Sequence, residues 1–258
     1  MSEKSNKGKN KKYKILKAKD STDSYVTKIP MLFDLPMRLL INGRSGSGKS
    51  NMLVNLLLND NYPYKKMFKG DNIYLFSPTV KGDKKLEIIA EELEIDDSNC
   101  FDELDDELLD DLYDNLVDDY KEKISNKEKP ENKLIIIDDF SSSGAMSQKR
   151  FNSVGKLFCN SRKFLCSIVV LQQSYLHTNK TIRENASGLV LFNTSQKALE
   201  TIEGDHNYLK SKKQFLKMFR SEVQEARDFL VINFSNDHKN LYLNDCFEPI
   251  DTLQYEKK

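Results

Sequence analysis

The chain has 258 residues, 38% of them hydrophobic, with few glycines and prolines. That is enough to bury one full core, and it excludes a largely disordered chain. The formal net charge of zero hides an asymmetry: residues 87 to 119 hold sixteen Asp and Glu and no Lys or Arg, which leaves 40 basic against 24 acidic residues elsewhere.

A basic body fits a polyanionic partner such as nucleic acid. No apolar run approaches the ~20 residues of a membrane span, so no membrane association is expected. The Lys-rich N-terminus lacks the apolar core of a signal peptide, which makes the cytosol the expected compartment. Cys100, Cys159, Cys166 and Cys246 form no CxxC pair, and His177, His206 and His238 are scattered. Zinc spacing is therefore absent and reduced thiols are expected.

Residues 1 to 24, with eight lysines in the first nineteen positions, read as a basic disordered tail. One domain is expected over 25–258. Leu39 to Ile41 form a short buried strand ending at Asn42 and Gly43. A helix should start at Lys49 and run to about Asn59, its apolar residues Met52, Leu53, Leu56 and Leu57 spaced near 3.6. Asn72 to Ser77 is a second strand, stopped by Pro78.

The acidic segment 87–119 is expected as a helical insert. Leu104, Leu108, Leu112 and Leu116 make one apolar stripe and carboxylates cover the other face, so it packs on the domain edge, fends off DNA or docks a basic partner. Leu134 to Ile137 is an apolar strand ending in Asp138 and Asp139. A helix is expected over 147–161, and strands over 167–171 and 189–192. A helix near 212–223 and strands over 229–234 and 240–243 complete the chain. This alternation predicts a mostly parallel sheet covered on both faces.

Gly43-Arg44-Ser45-Gly46-Ser47-Gly48-Lys49-Ser50 matches GxxxxGK[ST], between a predicted strand and a predicted helix. The glycines let the backbone wrap a phosphate without Cβ clashes. Successive N–H groups then form an anion nest, reinforced by the helix dipole. Lys49 can reach the β- and γ-phosphates of ATP, and the Ser50 hydroxyl can ligate Mg²⁺. Asn51 completes the candidate nucleotide-binding run.

Leu134 to Asp139 has the pattern of a second nucleotide motif, Walker B. Asp138 is expected to hold Mg²⁺ and Asp139 to orient or deprotonate the attacking water. The strand after it ends in Gln172, with Gln173 beside it, a candidate γ-phosphate sensor. Ring ATPases also need a cation from a neighbouring subunit. Arg162, before the Gln172 strand, and Arg183, in Thr181-Ile182-Arg183-Glu184-Asn185 beyond it, are the candidate fingers.

These elements resemble the additional-strand, catalytic-acid class of P-loop NTPases, three-layer α/β sandwiches in which an extra strand lies between the two motif strands. More narrowly, PMRLLINGRSGSGKSN, NIYLFSPT, LIIIDDF, SIVVLQQSY and KTIREN resemble the poxvirus-type virion DNA-packaging ATPases of the FtsK/HerA superfamily, over about residues 36 to 195. The resemblance implies a homo-oligomeric ring that drives double-stranded DNA into a capsid. Capsid proteins are then further partners, and the host-cell cytoplasm, the viral factory or the virion the location. Lys210, Lys212, Lys213 and Lys217 are candidate DNA contacts. A helicase or DNA pump of the same superfamily, and a nucleotide-dependent capsid-assembly scaffold, are the alternatives. A nucleoside kinase is disfavoured, because no Arg-rich lid is found.

Overall fold

The computed structural model describes residues 25–140 and 153–256. The basic tail expected over 1–24 and the start of the helix expected over 147–161 lie outside them.

The most apolar runs become the middle of the sheet. β1 (Arg38–Asn42), β4 (Lys133–Asp138) and β5 (Cys166–Gln172) are buried almost throughout. Branched and leucine side chains on both faces suit a parallel strand covered on both sides. Successive residues alternate between two cores: Leu39 and Ile41 face one, Leu40 the other. β2 (Ile73–Phe76), β3 (Cys100–Phe101) and β6 (Gly188–Phe192) extend the parallel sheet. β7 (Phe229–Asn233) and β8 (Tyr242–Leu243) close one edge antiparallel. The order across the sheet is β3-β2-β4-β5-β1-β6-β7-β8. β5 thus separates β1 from β4, the additional-strand arrangement expected from the sequence.

Helices cover both faces. α1 (Lys49–Leu58) and α2 (Lys84–Glu92) bury Met52, Leu53, Leu56, Leu57, Leu86 and Ile89 on one side. The chain entering β1 packs there too, and the Tyr64 hydroxyl donates to the Phe33 carbonyl at 2.7 Å. On the other side lie α3 (Asp106–Ser125), α4 (Ser153–Asn160), α5 (Lys180–Asn185), α6 (Gln196–His206) and α7 (Lys212–Glu222). The result is a three-layer α/β sandwich. Among the described residues, no helix is long and apolar enough to cross a membrane.

The acidic segment differs from the single helical insert expected. Residues 87–119 include the end of α2, the edge strand β3 and most of α3. β3 pairs with β2, so two strands rather than one separate β1 from β4 in sequence, and the segment is part of the sheet's own winding. α3 begins on Asp105, whose carboxylate accepts from the backbone N–H groups of Glu107 and Leu108. Acids fill its first turn and Lys123 lies in its last, as the helix dipole favours. Leu109, Leu112 and Leu116 are buried against the sheet, each contributing roughly 1.5–3 kcal/mol. Two of its acids meet lysines of the same fold, Asp119 with Lys133 and Asp110 with Lys156. Part of the acidic face is therefore neutralised within the chain.

Candidate active site

The loop from Gly43 to Gly48 leaves β1 at its C-terminal end. The Gly43 N–H donates to the Gln172 carbonyl at 3.0 Å, and the Asn42 amide donates to the same oxygen at 3.2 Å. The mouth of the loop is thus tied to the tip of β5. Gly48 has φ 109° and caps α1 without a side-chain hydrogen bond, leaving the first-turn N–H groups for an anion. Gly43 is required by space: a Cβ there would sit 2.6 Å from Cβ of Phe192 and 2.6 Å from Oγ of Ser47.

Arg44, Ser45, Gly46 and Asn51 are exposed, Ser50 is half-buried, and Ser47 and Lys49 are buried. The Lys49 ammonium folds back, donating to the carbonyls of Gly43 at 2.8 Å and Arg44 at 3.2 Å. Burial lowers its pKa, and the charges of Asp138 and Asp139 oppose that shift. The lysine and the acid pair therefore share one electrostatic neighbourhood.

Asp138 ends β4 and is 5% exposed. Burial, then the neighbouring charge of Asp139, pushes its pKa up to about 6, with Lys49 pulling the other way. Asp139 leaves the strand with φ 52°, a left-handed conformation that aspartate tolerates better than most residues. Its carboxylate accepts from Nε2 of Gln173 at 2.6 Å. Of the two glutamines considered from sequence, Gln173 brings its side chain to the acid pair. Gln172 is buried, and its backbone carbonyl holds the loop.

These residues fit a magnesium nucleotide. Asn42 Oδ1 and Ser47 Oγ are buried with no hydrogen-bond partner among the described residues. The cradle has no room for a Cβ at its mouth. Among the described residues, no group of three or more His, Cys, Asp or Glu could hold a metal ion. A hydroxyl and a carboxylate beside a phosphate cradle suit Mg²⁺, which binds through one or two carboxylates, phosphate oxygens and retained waters. Ser50 and Asp138 are the residues present to hold it.

The two arginines lie elsewhere. Arg162 is exposed in the turn Ser161–Phe164 before β5, where the Leu165 carbonyl accepts from the N–H of Lys133 at the start of β4. That is the N-terminal edge of the sheet, roughly 17 Å of strand from Asp138. Arg183, in α5, forms an ion pair with Asp205, lies over the Tyr175 ring at 5.0 Å, and lines a cavity with Phe234 near the same edge. Neither reaches the cradle of its own chain.

The Tyr175 hydroxyl beside Arg183 donates to Asp205 at 2.9 Å and meets Nε2 of His206 at 2.7 Å. Burial pulls the His206 pKa from 6.5 down to about 4; Asp205 opposes this and Arg183 adds to it. The unfolded chain therefore takes up a proton there before the folded one does. Stability should fall as pH drops from 6.5 to about 4, by about 3 kcal/mol from this residue. Denaturant titration of wild type and His206→Gln across that window checks it. The variant should lose less stability on acidification, and parallel curves would contradict the assignment.

Sequence reasoning missed Phe192, which closes the loop from β6. The one hint was an aromatic ending an apolar strand.

A protein-family model described as Poxvirus A32 protein matches residues 28–258. The genome packaging NTPase B204 from Sulfolobus turreted icosahedral virus 2, solved with AMP, superposes with a TM-score of 0.55 at 12% identity, covering 82% of this chain and 96% of that one. Its AMPPCP complex gives 0.50 at 13% identity, with 78% and 93% covered. EssC (ATPases 2 and 3) from Geobacillus thermodenitrificans gives 0.50 at 12% identity, covering 76% of this chain and 37% of that one. At these identities the likeness establishes the fold. No curated protein sequence matches the chain.

Proposed function

This chain belongs to the poxvirus A32 protein family, and from that premise we propose that it is an ATP-driven motor that moves double-stranded DNA, packaging a viral genome into a capsid. The observation that carries this reading is the convergence of Lys49 with Asp138 and Asp139 beside a glycine-lined phosphate loop. The fold it shares with a viral genome packaging NTPase supports the same reading.

In this account Gly43 to Ser50 hold the triphosphate of ATP through backbone N–H groups and Lys49. Ser50 and Asp138 would hold Mg²⁺, which supplies positive charge at the β- and γ-phosphates. Asp139 accepts the proton of the attacking water. Gln173 fixes the Asp139 carboxylate and thereby links β5 to the state of the γ-phosphate. Because Arg162 and Arg183 sit at the far edge of the sheet, either can serve only another copy's nucleotide. A head-to-tail ring brings that edge to a neighbour's site. Arg162, in the turn before β5, and Arg183, which pairs with Asp205 in its own chain, are the two candidates. Poxvirus-type packaging would place the protein in the host cytoplasm or viral factory, in contact with capsid proteins. DNA would be gripped through its phosphates as charge, by the basic surface that includes Lys210, Lys213 and Lys217.

The direct test is displacement of a third strand from a DNA triplex during ATP hydrolysis. A packaging motor displaces it while leaving the duplex intact. Separation of the strands of a forked duplex would make the protein a helicase. Mixing wild-type protein with Arg162→Ala tests the ring. Turnover should fall faster than the fraction of variant added, whereas a strictly proportional fall would remove Arg162 as the shared finger.

A further inference from the structure

Asp138 lies between the starts of two helices. Leu134 and Ile136 of β4 belong to the core beneath α1 and α2, so strand alternation turns Asp138 to that same face. β1 and β2 run parallel within one sheet, so α1 and α2 both begin at its C-terminal edge. In the order β2-β4-β5-β1, the tip of β2 is one strand from Asp138 and the phosphate loop is two. At about 4.8 Å per strand, the tip of β2 is the nearer neighbour.

The segment NIYLFSPT ends at this tip. Phe76 pairs with Ile137, which sets Ser77 beside Asp138. The chain then folds back on itself: the Asp83 N–H donates to the Thr79 carbonyl at 3.0 Å, and Val80 is buried. Asp83 caps α2 by accepting from the N–H of Lys85 at 2.9 Å. Lys84 and Lys85 therefore open α2 on the face and at the edge that Asp138 occupies.

For the helix alone, two cations are misplaced there, because its dipole favours acids at the N-terminus. α3 obeys that rule with Asp106 and Glu107, whereas α2 opens on lysines. A local cost of this kind is expected where a residue has a task beyond the fold. Lys85 is exposed, and among the described residues its ammonium forms no ion pair. Burial dominates the pKa of both Lys49 and Asp138, and the Lys85 charge reaches both, pulling each down. Lys85 thus faces the acid from the β2 side, as Lys49 does from the β1 side. A triphosphate laid from the loop toward Asp138 keeps its inner phosphates on the loop and brings its terminal phosphate toward α2.

We propose that Lys85 is a second cation of the site and binds the γ-phosphate of the nucleotide held by its own chain. The inference rests on the nucleotide-binding reading of Gly43 to Ser50 and adds a residue that tells ATP from ADP. Lys49 and Lys85 close on the γ-phosphate from opposite sides of Asp138, and Lys49 holds the β-phosphate as well.

Calorimetry with ADP and with a non-hydrolysable ATP analogue, both in the presence of Mg²⁺, tests it. Lys85→Met should weaken the analogue by about tenfold, the loss of one charge-assisted bond. Its ADP affinity should stay at the wild-type value, which also shows that the variant folds. Lys85→Arg keeps the charge and should keep most of the analogue's affinity. Lys49→Met is the contrast: that lysine also reaches the β-phosphate, so its loss should weaken both ligands. Unchanged analogue affinity in Lys85→Met, or an equal loss of ADP and analogue, would overturn the proposal. Wild-type protein that bound neither ligand would overturn the phosphate-loop reading and this proposal with it.

Discussion

Asp138→Asn should lower ATP turnover by about 10²–10³-fold and, in metal-free buffer at mildly alkaline pH, make the protein more stable. The first effect follows from removing the charge that would hold Mg²⁺ against the phosphates. The second follows from the cost of burying that charge without the metal. The folded-state pKa of about 6 lies above the ordinary 3.8, so the native protein holds the extra proton across that interval. Native stability therefore falls as pH rises from about 4 to about 6, and the neutral amide avoids that loss. Two pKa units correspond to a gain of about 3 kcal/mol at most. The gain should vanish in acid, where the wild-type carboxyl is already neutral. Denaturant titrations at both pH values, with chelator present, measure it. A variant that is less stable at mildly alkaline pH would show that Asp138 has partners in the folded chain that outweigh its burial.

Lys49→Met should reduce turnover by a comparable factor of about 10²–10³ and weaken ATP binding by about 10–100-fold, the loss of one charge-assisted contact to phosphate. Its effect on stability should have the opposite sign. The methionine keeps the buried stem but leaves the carbonyls of Gly43 and Arg44 without their donor. It also removes the cation that eases the charge on Asp138 and Asp139. The metal-free variant should unfold more easily than the wild type at neutral pH. Two substitutions that both abolish hydrolysis but move stability in opposite directions cannot be explained by general misfolding. Unchanged ATP affinity in Lys49→Met would separate the lysine from the phosphates.

What was legible in the sequence is what is encoded locally. The run Leu39 to Ser50 carries strand, loop and helix within one continuous segment, and the apolar strands ending at Asp138 and Gln172 are unbroken. The chain order of their polar tips resembles the additional-strand class, and it is that resemblance which implies β5 between β1 and β4, as the sheet has it. β3 is two residues long and exists only through its pairing with β2, so no pattern could announce it. α5, with six residues, and α6, whose buried side chains sit between charged ones, were likewise not assigned as helices. The choice between Gln172 and Gln173 depends on which side chain leaves the sheet toward Asp139, set by the left-handed turn of that aspartate. Arg183 looked available in sequence because its partner, Asp205, is 22 residues away.

The most direct test of the central claim is a structure of the protein with a non-hydrolysable ATP analogue and Mn²⁺, located by its anomalous signal. The account predicts that the Lys49 ammonium leaves the loop carbonyls for the β- and γ-phosphates, and that the metal lies between those phosphates and the side of Asp138 and Ser50. A nucleotide bound elsewhere, or a metal remote from Asp138 with Lys49 still folded onto Gly43 and Arg44, would contradict it.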